Sequence, residues 1–233
     1  GLDIVKMVYE RFQRGVVFTP YFKDGDSVQK GDVILKIEAT YPTLLRGERL
    51  SLNIFQRMCG IATETAKYVK ELKDTQTELL DTRKTAPGLR VLDKMAVKHG
   101  GGTNHRMGLY DMAMIKDNHI KMAGGIANAV EQVRSRIAEG IKIEVETTTI
   151  DEVHQAIEAG ADIIMLDNMA TQTMTKAVAI IKSADKGIKT EASGNMNIPR
   201  LKEVAATGVD YISVGALTHT VKAMDISMNI KVE

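Results

Sequence analysis

Residues 141–167, IKIEVETTTIDEVHQAIEAGADIIMLD, read as one strand–helix–strand unit. Short apolar runs of strand type, IKIEVE and DIIMLD, flank a helical pattern over residues 149–159. Working outward, the same unit recurs. ELLDT (78–82) and MAMIKD (112–117) precede it, KTEAS (189–193) and YISVG (211–215) follow it, and helices are predicted near 88–99, 124–138, 170–184 and 197–207. Alternating βα units specify a parallel sheet, and short, evenly spaced units favour a barrel over an open doubly wound sheet. Six strands fall short of the eight of a regular barrel. The predicted class is therefore α/β, with an open or incomplete parallel barrel over residues 77–221.

The residues before the repeat read differently. Residues 16–41 alternate β-formers with turn signals at Asp24-Gly25 and Lys30-Gly31, which predicts a small antiparallel module. Its DGDSVQKGDVI is similar to the turns of lipoyl and biotinyl carrier domains, but no triplet with a modifiable lysine follows. Residues 43–73 carry apolar side chains at 44, 45, 52, 55, 58, 61 and 62, close to helical spacing, and Gly60 is expected to divide this stretch into two helices. A smaller N-terminal domain is assigned to 1–76, joined by the C-terminal segment 222–233.

Charge and composition narrow the partners. The chain has 233 residues, 44% hydrophobic and 26% charged, and its 31 basic and 30 acidic residues leave a net charge of +1. No global field draws it to nucleic acid or an acidic membrane, so any anion site must be local. Cys59 is the only cysteine, which excludes an intramolecular disulfide, and its neighbours Met58 and Ile61 suggest a packed, inert thiol suited to a reducing cytoplasm. No apolar run approaches a membrane span, and GLDIVKMVYERF lacks the features of a signal peptide. A soluble cytoplasmic protein is expected.

In a parallel barrel, functional groups gather at the C-terminal ends of the strands. Here those ends supply Arg83 and Lys84, Lys116 and Asp117, Glu144 and Glu146, Asp167 and Asn168, Glu191 and Ser193, and Gly215. Between the first two lies HGGGTNHRMG (99–108), carrying His105 and Arg106. Taken alone, Arg83-Lys84 is compatible with a solvated strand end, and a single carboxylate there with a helix cap or ion pair. The triple glycine is no Walker motif, since Lys-Ser/Thr does not follow. Convergence raises the functional reading, because like charges at one mouth repel unless ligands intervene. Arg83, Lys84, Arg106 and Lys116 call for a substrate with more than one anionic group. Glu146 and Asp167, on neighbouring strands, suit a hard divalent cation shared with a phosphate or pyrophosphate. Ser193-Gly194 and Gly215-Ala216 offer backbone N–H groups ahead of helices, the usual phosphate position of such barrels.

DTRKTAPGLR (81–90), GGGTNHRMGLYDMAMIKDNHI (100–120), IEVETTT (143–149), IIMLDNM (163–169), EASGN (191–195) and GVDYISVGALTH (208–219) together resemble the quinolinate phosphoribosyltransferase family over essentially the whole chain. The resemblance implies a sandwich-like N-terminal α/β domain on an open α/β barrel. It also implies a glycosyltransferase of NAD biosynthesis that joins quinolinate to phosphoribosyl pyrophosphate and releases pyrophosphate and carbon dioxide. By the same resemblance, Arg83, His105, Arg106 and Lys116 hold the two quinolinate carboxylates, and Lys84 reaches between substrate and ribosyl phosphate. Glu146 and Asp167 take the magnesium and ribose positions, and Ser193, Gly194, Gly215 and His219 the phosphate loops. Lys84, Lys116, Glu146 and Asp167 are the catalytic set. Arg49, in RGERLSLN (46–53), matches an arginine supplied by the partner of a homodimer. The family's chain normally begins with a further helix and strands, whereas GLDIV starts within the small domain.

Two other readings compete. One is a paralogue of the same fold of the molybdenum-transport-associated type, against which the pairing of His105-Arg106 with Arg83-Lys84 argues for a dicarboxylate site. The other is a non-catalytic phosphate-binding barrel, which would not need both Glu146 and Asp167.

Overall fold

A computed structural model describes residues 1–184 and 186–231. In chain order its elements are α1 (Leu2–Phe12), β1 (Val17–Pro20), β2 (Leu35–Glu38), α2 (Tyr41–Leu72), β3 (Glu78–Leu80), α3 (Arg90–His99), β4 (Ala113–Ile115), α4 (Asp117–Ala123), α5 (Ile126–Arg134), β5 (Ile143–Thr147), α6 (Ile150–Glu158), β6 (Ile163–Asp167), α7 (Thr171–Ser183), β7 (Lys189–Ser193), α8 (Ile198–Ala205), β8 (Tyr211–Ser213) and α9 (Ala216–His219). Contacts divide the chain into two compact units. The first comprises 1–66, 85–101 and the residues from Ala216 onward; the second comprises 67–84 and 102–215. The division falls inside α2 and assigns α3 to the first unit, whereas the sequence boundary lies at 76/77. Among the described residues, no helix is long and apolar enough to cross a membrane.

The second unit holds a six-stranded parallel sheet in the order β3-β8-β7-β6-β5-β4. β3 and β4 do not pair, so the barrel is open between them, as its strand count required. Beside β3 the chain makes one further parallel bridge, Leu80 to Thr103, with the Thr103 N–H donating to Leu79 O at 2.8 Å. β5 and β6 are buried almost throughout, as expected of strands covered on both faces. The helix predicted near 124–138 is α5, which ends at Arg134; the short helix α4 before it, set off by Gly124-Gly125, was not expected. The strands β3 and β4 end earlier than the sequence suggests, because the polar pairs Asp81-Thr82 and Lys116-Asp117 leave the ladder.

In the first unit, α1, the antiparallel pair β1–β2 and α2 enclose a core of Leu2, Val5, Tyr9, Leu44 and Phe55, against which Ile226, Met228 and Ile230 pack. Each such buried side chain contributes about 1.5 to 3 kcal/mol. The positions 2, 5 and 9 carry the helical spacing that marks α1, a signal unused in the sequence reading. The expected break at Gly60 is corrected: α2 runs unbroken from Tyr41 to Leu72. Gly60 instead makes room for returning chain, since a Cβ there would stand 2.2 Å from Lys222 O.

Asp93 ties this unit together. Fully buried on α3, it receives Arg57 Nε and Nη2 from α2 at 2.8 Å each and the Ala86 N–H at 3.2 Å, while Arg57 Nη2 also donates to Thr218 O at 3.2 Å. Asp93→Ala should cost about 3 kcal/mol, the lower end for breaking a buried pair, because Arg57 keeps some solvent contact. Urea unfolding measures this; a loss below 1 kcal/mol would show that solvent substitutes for the carboxylate.

Candidate active site

The second unit brings most of the expected residues to the C-terminal ends of its strands. Arg83 and Lys84 follow β3; Lys116 precedes α4 directly after β4; Glu146 is the penultimate residue of β5; Asp167 closes β6; Ser193 closes β7 and Gly194 follows; Gly215 lies two residues beyond β8. His105 and Arg106 descend from the bridge at Thr103. Arg49, in α2, and His219, at the end of α9, belong to the first unit and are exposed.

The cations crowd. Burial lowers the pKa of the Arg106 guanidinium, and the charge of Arg83 lowers it further. Arg106 is held by donation from Nη1 to Met112 O at 3.0 Å, and the turn beyond it is pinned by Asp111, which accepts from the Met107 and Gly108 N–H groups at 2.5 and 3.0 Å. Lys116, half exposed, lies 3.4 Å from Glu146. So exposed an ion pair is worth at most about 1 kcal/mol, which leaves Lys116 able to turn toward a ligand.

Register places Asp167 opposite Ser193 and Glu146 opposite Met165, so the two carboxylates stand near the mouth on adjacent strands. Glu146 is partly exposed, and Asp167 Oδ2 accepts from Asn168 Nδ2 at 2.8 Å. Two accessible carboxylates suit magnesium, which binds through one or two such groups and fills its remaining positions with water and phosphate oxygens.

The loop after β7 is tightly built. Gly194 has φ +94°, and a Cβ there would lie 2.2 Å from Asn168 Oδ1, so only glycine fits. Asn168 N donates to Ser193 O at 3.0 Å. Arg200 bridges the two loops, donating to Gly194 O at 3.2 Å and Met169 O at 2.9 Å. Sequence reasoning missed Arg200, which no local signal marks because its partners lie as far as 31 residues away.

Below the mouth sits a charged layer. Glu144 on β5 and Glu191 on β7 are 0% and 1% exposed, two residues inward of Glu146 and Ser193. His105 Nε2 lies 3.1 Å from Glu144 Oε2 and 3.2 Å from Glu191 Oε2, contacts of which neither is a well-aligned hydrogen bond, since none of the four carboxylate oxygens has such a partner. On the other side of the ring, Nδ1 accepts the Arg106 N–H at 2.7 Å, while the His105 N–H donates to the buried Asp81 at 2.9 Å. Burial alone would lower the pKa of His105, but the two glutamates outweigh it and raise it to about 10. Glu144 is pushed up to about 7, by burial and then by the charge of Glu191. The upward shift of His105 favours a ring protonated on both nitrogens, but a backbone N–H can only donate and needs the Nδ1 lone pair, so the 2.7 Å contact decides for a neutral ring with its proton on Nε2 and leaves the extra proton of the layer to the carboxylate pair. In the sequence Glu144 and Glu191 are strand-end groups with no marked role and Asp81 only follows a buried strand; the fold brings all three to His105.

The whole chain is similar to proteins of known family. Residues 1–59 match the N-terminal domain of quinolinate phosphoribosyl transferase and residues 61–229 its C-terminal domain. The chain is 46% identical over 230 residues to the "Probable nicotinate-nucleotide pyrophosphorylase (carboxylating)" of Bacillus subtilis, covering 99% of this chain and 78% of that one. It is 43% identical over 250 residues to the chloroplastic nicotinate-nucleotide pyrophosphorylase (carboxylating) of Arabidopsis thaliana, covering 100% and 71%. Among solved structures, NadC from Streptococcus pyogenes superposes with a TM-score of 0.91 at 39% identity, over 97% of this chain and 79% of that one.

Proposed function

This chain belongs to the quinolinate phosphoribosyltransferase family, and from that premise we propose how its strand-end residues divide the work. The enzyme transfers the phosphoribosyl group of phosphoribosyl pyrophosphate to quinolinate with decarboxylation, giving nicotinate mononucleotide, pyrophosphate and carbon dioxide in NAD biosynthesis. One arrangement carries the assignment of the acceptor site: Arg83 follows β3 and Arg106 follows the bridge that Thr103 makes beside β3, and burial and then the nearby charge of Arg83 lower the pKa of Arg106. Such crowding costs energy until anions enter, and quinolinate brings two carboxylates.

Arg83 and Arg106 receive those carboxylates as planar forks, with Lys116 swinging from Glu146 to join them. Lys84, exposed beside Arg83, reaches between quinolinate and the ribosyl phosphate. Ser193, Gly194 and Gly215 offer main-chain N–H groups to phosphate, with His219 as a further phosphate contact. Glu146 and Asp167 hold magnesium and the ribose; a bound ion would share the negative charge of the departing pyrophosphate. The pyridine nitrogen attacks the anomeric carbon as pyrophosphate leaves, so the residues position and neutralise charge rather than act as nucleophiles. Once the nitrogen is quaternary, the adjacent carboxylate departs as carbon dioxide, because the carbanion left behind sits beside a positive centre.

A homodimer completes this reading, with Arg49 of each subunit serving the partner's mouth. The reducing cytoplasm suits the single thiol, Cys59, which burial pushes up to about 11. Release of carbon dioxide from carboxyl-labelled quinolinate, in step with pyrophosphate and dependent on magnesium, tests the reaction; no release with both substrates present would overturn it. Arg83→Lys keeps the charge but loses the paired contacts, and should weaken quinolinate binding by about tenfold to a hundredfold in calorimetry, the equivalent of one charged hydrogen bond. Unchanged affinity would remove Arg83 from the site.

A further inference from the structure

We propose that Glu144 and Glu191 are positioning residues for the quinolinate site, clamping His105 so that its Nδ1 fixes the main chain of Arg106. The inference rests on the reading that Arg106 binds a quinolinate carboxylate.

His105 is held by its main chain and at both nitrogens of its ring. Its N–H donates to Asp81 Oδ1 at 2.9 Å, its Nε2 faces Glu144 and Glu191 at 3.1 and 3.2 Å, and its Nδ1 accepts from the Arg106 N–H at 2.7 Å. The side chain is 5% exposed, so protein groups fix the ring, whichever edge of it meets quinolinate. A ring rotation or a change of tautomer would move the Arg106 amide, and with it the origin of a side chain that must meet a carboxylate with both arms of its fork. Proximity effects make such a shift costly, because an error of about 1 Å loses about a hundredfold in rate.

The chemistry of the layer favours a clamp over two alternatives. His105, Glu144 and Glu191 have ligating atoms within 4.8 Å of one another, a spacing that a metal could span. A metal on Nε2 would require the ring proton on Nδ1, where it would point at the Arg106 N–H; the 2.7 Å contact assigns that nitrogen as an acceptor. The other alternative is a polar layer that serves only packing. Glu144 lies opposite Ile163 and Glu191 opposite Met165 on β6, and an apolar pair would fill such a layer without the cost of burying carboxylates. Glu144 also offsets part of the effect of burial and of Arg83 on the Arg106 guanidinium.

The test compares ligands rather than total activity. In Glu191→Leu and Glu144→Leu, quinolinate Kd should rise about tenfold or more, because a displaced Arg106 loses one charged hydrogen bond to the carboxylate, while Kd for phosphoribosyl pyrophosphate stays within about twofold. The melting temperature should hold or rise, since apolar residues commonly replace buried ion groups without loss of stability. Glu191→Gln, which keeps an acceptor for Nε2–H, should recover most of the quinolinate affinity. A parallel fall in melting temperature and in affinity for both ligands would make the layer merely structural and overturn the proposal, as would unchanged quinolinate affinity in both leucine variants. Nitrogen NMR of the intact wild-type enzyme decides the matter without a variant: Nδ1 of His105 should resonate as unprotonated and Nε2 as protonated, and a protonated Nδ1 overturns the clamp. So does a stoichiometric metal in the purified enzyme that Glu191→Leu removes. Arg106→Lys separates this inference from its premise. If Arg106→Lys weakens quinolinate and the leucine variants do not, the positioning role fails; if Arg106→Lys has no effect, the premise fails and takes the inference with it.

Discussion

Mixing Arg49→Ala with Lys84→Ala chains, each inactive alone, should return about a quarter of wild-type activity, because random exchange makes half the dimers mixed and gives each mixed dimer one intact mouth. Lys84 lies directly beyond β3 in the sheet unit, whereas Arg49 lies on α2 in the other unit and is exposed. In a two-fold dimer the same patch faces both mouths, so Arg49 of one subunit would meet Lys84 of the other. In the mixed dimer one mouth then carries both lesions and the other carries neither. Native mass spectrometry reports whether mixed dimers formed. If they formed and the mixture stayed inactive, Arg49 does not act across the interface; if Arg49→Ala alone keeps normal activity, it does not act in the site at all.

Glu146→Gln and Asp167→Asn should each lower turnover by roughly a hundredfold to a thousandfold, the scale on which removing one preorganised electrostatic group acts. The fold should survive both changes. Glu146, itself partly buried, pairs with the half-exposed Lys116, and an amide at 167 can still accept from Asn168. Excess magnesium should restore little, because a neutral amide is a poor ligand for a hard cation. Titrating magnesium against initial rate gives the outcome directly. Normal turnover at limiting magnesium in both variants would make these carboxylates structural, and full recovery at high magnesium would mean that they only tune its affinity.

The parallel barrel was legible because its signals are local. Apolar runs of strand length, helical patterns between them and glycine-marked turns each lie within a few residues, and all six sheet strands follow from them. The charge sorting of the strand ends was legible for the same reason: once a strand is placed, its last residues are placed at the mouth. The break assigned to Gly60 failed because a glycine signals either a turn or a close approach, and the approaching backbone at Lys222 is 162 positions away in the chain.

By itself, then, the sequence determined that β3 to β8 pair in parallel around an incomplete barrel, and that Arg83, Lys84, Arg106, Lys116, Glu146 and Asp167 stand at one end of it. Only the tertiary structure decided what lies one layer deeper. Glu144 and Glu146 alternate along the same strand and look equivalent in sequence, yet one is fully buried against His105 while the other keeps solvent and Lys116. The difference is depth along the barrel axis, which depends on strand register and on how far the 103–106 segment reaches inward. Register is set by partners far away in the chain, and so is the pairing of Arg200 with Gly194 and Met169. Residue order specifies which groups a strand offers; packing of distant segments decides which of them meet water, substrate or each other.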